Sequence, residues 1–167
     1  VIMIPRKGAE VAHITEKDMR DVLEVRAALE ELAATLACRN VTPERIEELK
    51  MANKRFEATI ISKDVVAIVD ADVNFHDIIY AMTDNQRLIQ IINNLREQMY
   101  RYRVEYLKEE QTRNLLVNEH EELVKAIRDG NVERAQEISF NHLENQRRAI
   151  IRTIRAENEA KEDKKKE

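Results

Sequence analysis

The chain has 167 residues, enough for one domain with a sizeable core, and its formal charge of -4 offers no basic surface for nucleic acid or anionic lipid. Two Gly, two Pro, 4% aromatic and 36% charged residues favour helices over sheets. A single cysteine, Cys38, excludes an internal disulfide, and no run reaches the roughly 18 apolar residues of a membrane span; a cytoplasmic protein without membrane contact is expected.

Residues 1–14, "VIMIPRKGAEVAHI", differ from the rest and read as a strand or extended linker. The chain opens on Val, which suggests a piece of something longer. From Thr15 the apolar period is helical. "TEKD" forms a capping box, with Thr15 as cap and Asp18 three residues on. Helix 1 is predicted to run to about Arg39, with Met19, Val22, Leu23, Leu29, Ala33 and Leu36 on one face. Thr42 and Pro43 start helix 2, which runs to about Ser62. Asp64 opens helix 3, ending near Thr83. Helix 4 spans about Gln86 to Lys108, with Leu88, Ile92, Leu95 and Met99 inward. Helix 5 spans about Thr112 to Arg128 and stops at Gly130, and helix 6 runs from about Val132 past Ile154. "KEDKKKE" reads as a solvated or disordered tail. The fold class is therefore all-α, an antiparallel bundle of about six helices over residues 15–156, with a charged tail at 157–167.

Helix 3 carries an anomaly. Residues four apart share a face, and the face around Asp72 holds Val65, Ile68, Val69, His76 and Ile79. Asp72 and His76 thus point where the helix is apolar, and a carboxylate buried alone costs many kcal/mol. His120 has Leu116, Val117, Leu123, Val124 and Ile127 around it and also points inward. His142 sits on a mixed face, with Ile138 and Ala149 on its stripe and Ser139 and Asn145 nearby. His13, in the linker, has no functional reading. Asp72, His76, His120 and His142 together form a ligand set for a divalent transition metal, zinc first, with nickel, manganese or iron also suited. The alternative for each histidine alone is a satisfied core residue. A di-iron site is disfavoured because Val73, Val117 and Ser139 stand where its glutamates belong, three residues before each histidine.

Two arginines complete the candidates. Arg26 has Val22, Leu23, Leu29 and Glu30 as helical neighbours, so its stem lies against the core. A guanidinium beside a metal suits a carboxylate ligand; the alternative is a salt bridge to Glu30 or to Asp72. Arg103 follows Met99 on the inward side of "YRYRVEY", with an ordinary amphipathic rim as its alternative.

The stretches "DVLEVRAALE", "DADVNFHDII", "VNEHEELVKAIRDGNVERAQ" and "NHLENQ" resemble the effector-binding C-terminal domain (FCD) of FadR-type GntR transcription regulators, across about residues 15–155. In metal-binding members of that family an Asp and a His four apart are followed by two later His. Asp72, His76, His120 and His142 match all four positions, and Arg26 matches the helix 1 arginine near the effector. By the same resemblance, "RKGAEVAHITEKDM" is the last strand and linker of a winged-helix domain otherwise missing. The resemblance implies a homodimeric, ligand-controlled regulator. Its bundle would hold a metal and recruit a small carboxylate, and operator DNA would be gripped through the missing domain. A metal-dependent hydrolase and a purely structural, metal-braced dimerisation bundle remain the alternatives. The metal, the effector, the operator, the sign of regulation and the dimer interface are not encoded in any motif.

Overall fold

The computed structural model describes residues 2–4, 8–10 and 15–163. Two short strands, β1 (Ile2–Ile4) and β2 (Gly8–Glu10), pair antiparallel with Met3 opposite Ala9. They lie where the sequence predicts a strand or extended linker; residues 11–14, with His13, fall outside the described residues. Seven helices follow: α1 (Glu16–Arg39), α2 (Pro43–Ile60), α3 (Val65–Met82), α4 (Gln86–Gln98), α5 (Tyr100–Lys108), α6 (Glu110–Arg128) and α7 (Val132–Asp163).

The helix starts follow local chemistry. Thr15 Oγ1 accepts from the Asp18 amide and Asp18 Oδ2 accepts from the Thr15 amide, both at 3.1 Å, so the capping box closes. Thr42 Oγ1 accepts from the Arg45 amide at 3.3 Å, with Pro43 in the first helical position. Asp64 caps α3 by accepting from Val66 and Ala67. Gly130 ends the turn after α6 at φ +64°. A Cβ built there meets nothing within 4 Å. Gly130→Ala is therefore expected to cost about 1 kcal/mol from backbone strain alone, with no steric part. Chemical denaturation checks this: a loss well above 2 kcal/mol would require a clash that the geometry lacks.

One helix predicted from the sequence is two. The span from Gln86 to Lys108 breaks at Met99 (φ -103°, ψ -1°) into α4 and α5. No Gly or Pro marks the break, so its cause is tertiary. Leu88 and Ile92 of α4 pack against Ala33 of α1 and Tyr80 of α3. Met99 and Tyr102 pack with Met19 and Leu23 of α1 and Ile150 and Ile154 of α7, and Tyr106 and Leu107 with Phe56, Val69 and Leu116. A straight rod cannot serve all three groups. The freed carbonyls of Leu107 and Lys108 at the end of α5 accept from Arg113 Nη1, at 2.9 and 2.7 Å. The last helix also runs further than residue 156, continuing to Asp163.

Loops of a few residues join α1 to α2, α2 to α3, α3 to α4 and α6 to α7, so these neighbours fold back on one another. α1 lies along α7, α2 along α3, and α6 against both α2 and α7. Phe56 and Phe75 are fully buried, each adding roughly 2–3 kcal/mol of apolar transfer. Among the described residues no helix is long and apolar enough to cross a membrane. The polar site lies at the centre of this packing, where α1, α3, α5, α6 and α7 face each other.

Candidate metal and effector site

Asp72 and His76 sit one turn apart on α3, and both are buried. His120 comes from α6, 1% exposed, with its ring stacked on Phe75 at 3.9 Å between centroids and leaning on Phe56 at 4.9 Å. The two phenyl rings fix the imidazole plane. One ligand atom from each of Asp72, His76 and His120 lies within 4.8 Å of the other two, a group able to hold a metal ion.

Asp72 Oδ1 stands 3.5 Å from His120 Nε2 and 3.7 Å from His76 Nε2. Those separations are long for hydrogen bonds. Ligand atoms at about 2.1 Å from a tetrahedral ion are about 3.4 Å apart, which the observed spacing approaches. Asp72 Oδ1, His76 Nε2 and both nitrogens of His120 are buried with no hydrogen-bond partner. Buried polar atoms are nearly always satisfied, so this group of orphans has the donor chemistry and the spacing that a divalent cation needs.

The electrostatics agree with ligand duty. Burial on its own pushes the Asp72 carboxyl up; the Arg103 guanidinium and the imidazoles of His120 and His76 outweigh it and hold Asp72 well below the usual carboxylate range. Burial pushes His76 far down and His120 down as well, so both present a neutral ring with a free lone pair.

His142, on α7, is gathered into the same place. Its ring centre lies 5.0 Å from that of His76 and 6.2 Å from that of His120. Unlike the other two, it is tied at both nitrogens. Nδ1 donates to Glu119 Oε2 at 2.8 Å, because a carboxylate only accepts, and Nε2 then accepts from Gln146 Nε2 at 2.9 Å. Asn145 Nδ2 holds the other Glu119 oxygen at 2.9 Å. A carboxylate on the far nitrogen of an imidazole is the usual way of aiming a metal ligand. In the sequence Glu119 flanks His120 and points off its face; in the fold that direction leads to α7 and His142. Only the relative placement of α6 and α7 reveals this contact, so no local signal could have found it. Gln146 is likewise invisible as a partner until α1 and α7 are docked.

The two arginines divide. Arg103, on α5, directs Nε at Asp72 Oδ2 across 3.6 Å. Arg26, on α1, donates from Nε to Glu30 Oε1 at 3.1 Å, and the same oxygen accepts from the Tyr80 hydroxyl at 2.6 Å. The salt bridge to Glu30, the alternative weighed from the sequence, is therefore present. Arg26 Nη1 reaches Gln146 Oε1 at 3.4 Å, while Nη2 of Arg26 and Nη2 of Arg103 are buried and unpartnered. A cavity of about 20 Å³, room for one water-sized particle, opens beside the cluster among Glu30, Ala34, His76, Glu119, His120, Ser139 and His142.

Comparison with known proteins places the chain. It is 25% identical over 133 residues to the gluconate operon transcriptional repressor of Bacillus licheniformis, covering 77% of this chain and 55% of that protein. It is 21% identical over 141 residues to the uncharacterized HTH-type transcriptional regulator YdhC of Bacillus subtilis, covering 82% and 63%. The chain thus spans somewhat more than half the length of these relatives, which are regulators by name and not enzymes. In fold it is similar to McbR/YncC of E. coli, with a TM-score of 0.79 at 20% identity over 90% of this chain and 75% of that one. It is similar also to a GntR-family transcriptional regulator of Pseudomonas syringae pv. tomato, with a TM-score of 0.73 at 20% identity over 96% and 66%. Residues 21–145 match the FCD domain, three quarters of the chain, with Asp72, His76, His120, His142 and both arginines inside the match. The chain belongs to the FCD domain family.

Proposed function

We propose that this chain is the sensor domain of a GntR-type transcription regulator. Its bundle holds one divalent transition metal on Asp72, His76, His120 and His142, zinc first among the candidates. A small carboxylate binds beside the ion, and operator DNA is bound by a winged-helix domain outside this chain. The observation that carries the reading is the buried, unpartnered set of Asp72 Oδ1, His76 Nε2 and His120 nitrogens facing one another. An ion neutralises the carboxylate and satisfies the orphans at once.

The carboxylate part of the reading rests on two further facts. The free Nη2 groups of Arg26 and Arg103 are buried donors of the kind a carboxylate fork accepts. One relative is a repressor of a gluconate operon, and gluconate is a sugar acid. The cavity is small, so an acid enters only as side chains around Glu30 and His142 move, and that movement is the signal. Val25 and Leu32 on α1 and Ile91 on α4 are large apolar side chains left exposed, and they suit the homodimer expected of such regulators.

The test uses the full-length regulator, its operator DNA, and a panel of zinc, nickel and manganese with hydroxy, sugar and dicarboxylic acids. Operator affinity is expected to change at least fivefold, about 1 kcal/mol of coupling, for one metal–acid pair and to return with chelator. Identical operator affinity under every condition would remove the sensor function.

A further inference from the structure

Three of the four proposed ligands converge with unpartnered atoms; the fourth does not. His142 Nε2, the nitrogen left as acceptor while Nδ1–H donates to Glu119, is already engaged by the side-chain amide of Gln146 at 2.9 Å. Gln146 sits one turn further along α7 and is 4% exposed. Its amide cannot be flipped without loss. Turning it would aim Oε1 at the lone pair of His142 and the NH₂ at the cationic Arg26 Nη1, now 3.4 Å from Oε1. Arg26 therefore fixes the amide, and the amide fixes His142.

We propose that Gln146 is a latch on the fourth ligand, and that it couples the ion to the arginine. With Gln146 on His142, three ligand atoms, from Asp72, His76 and His120, face one another without partners, and an ion enters there first. His142 completes the shell only when Gln146 Nε2 lets go of its lone pair. When the amide swings away, Arg26 Nη1 loses its one oxygen acceptor, keeps only the weak Met99 Sδ contact at 3.7 Å, and joins Nη2 in offering an open donor. Metal capture thus prepares the guanidinium for a carboxylate, and the carboxylate, by occupying Arg26, keeps the latch open. The coupling is reciprocal, since each ligand favours the same released state. This inference rests on the metal reading of the site, and it adds an order of events and a residue that sets the affinity.

The test is a double-mutant cycle on the full chain with Zn²⁺ as the probe, titrated against a chromophoric chelator. Gln146→Leu removes the competing donor at nearly constant volume. It is expected to tighten Zn²⁺ about fivefold, the net worth of one buried hydrogen bond. In a His142→Ala background the same change is expected to do nothing, because the latched nitrogen is gone. Citrate serves as the carboxylate, read by its effect on thermal melting. Its gain in affinity on zinc loading is expected to be smaller in Gln146→Leu than in the wild type, because Arg26 is open from the start and only the direct attraction of the ion remains. Should Gln146→Leu fold poorly, Gln146→Met takes its place. Independently, the ¹⁵N shift of His142 Nε2 in the wild type is expected to move on zinc addition. Equal Zn²⁺ affinity with and without Gln146, a tightening that persists in His142→Ala, or an unmoved Nε2 shift overturns the latch and leaves the metal reading standing. No Zn²⁺ binding by the wild type, with Asp72→Ala as its control, sinks the metal reading itself.

Discussion

Asp72→Ala is expected to abolish the thermal stabilisation by zinc and to destabilise the metal-free protein by about 3 kcal/mol, which lowers its melting temperature by about 10 °C. Two separate causes predict these two losses. The first is the removal of the one anionic ligand that the three-residue group provides. The second does not involve metal. Arg103 is buried, and the carboxylate 3.6 Å away is the counter-charge that its Nε faces. Removing one member of a buried pair leaves the other uncompensated, which is more costly than never having placed the pair. Asp72→Asn keeps the shape and separates the causes: the loss of metal binding stays, while part of the packing is recovered. Calorimetry of the two variants with and without zinc reads both effects. An Asp72→Ala protein as stable as the wild type would mean that Arg103 finds water, against its burial.

Zinc addition to the wild-type chain carries the other large effect. A ligand at about a hundred times its dissociation constant adds about 2.7 kcal/mol to a folded state that alone can bind it. For a domain of this size that is a rise of about 5–10 °C in melting temperature, reversed by a chelator. His76→Ala and His120→Ala are each expected to erase most of the rise, and His142→Ala to reduce it by less, since its Nε2 is already engaged by Gln146. His120→Ala also loses the stack on Phe75 and the contact with Phe56, so its metal-free melting point falls furthest of the three. If no ion among zinc, nickel, manganese and iron raises the melting temperature, the cluster is a polar core and the four residues are not ligands.

Much of this is legible in the sequence alone. Thr15, Thr42, Asp64 and Gly130 each act through groups two or three residues away, and such signals survive in a linear chain. The inward facing of Asp72, His76 and His120 was legible for the same reason, because the helical period places a residue relative to its own helix. What depends on how one helix meets another was not. The break at Met99 has no local marker and follows from three groups of partners that one straight helix cannot reach. Glu119 points away from His120 on its own helix, and that direction acquires meaning only once α7 lies beside α6. Arg26 and Arg103 illustrate the same boundary. Their inward stems follow from the helical period, but which of them faces Asp72 depends on the turn between α4 and α5, and the one that does is Arg103.

Arg26, at the centre of the bundle, also belongs to the first of the helices. α1 has 24 residues, a rod of roughly 36 Å, and Arg26 lies eleven residues after Thr15, roughly 16 Å along it. The Thr15–Asp18 box stiffens the tip of that rod. A tilt of roughly 5° pivoting on the guanidinium would carry Thr15 sideways by roughly 1.4 Å. A lever of this kind would turn a small adjustment beside the guanidinium into a displacement above about 1 Å at Thr15.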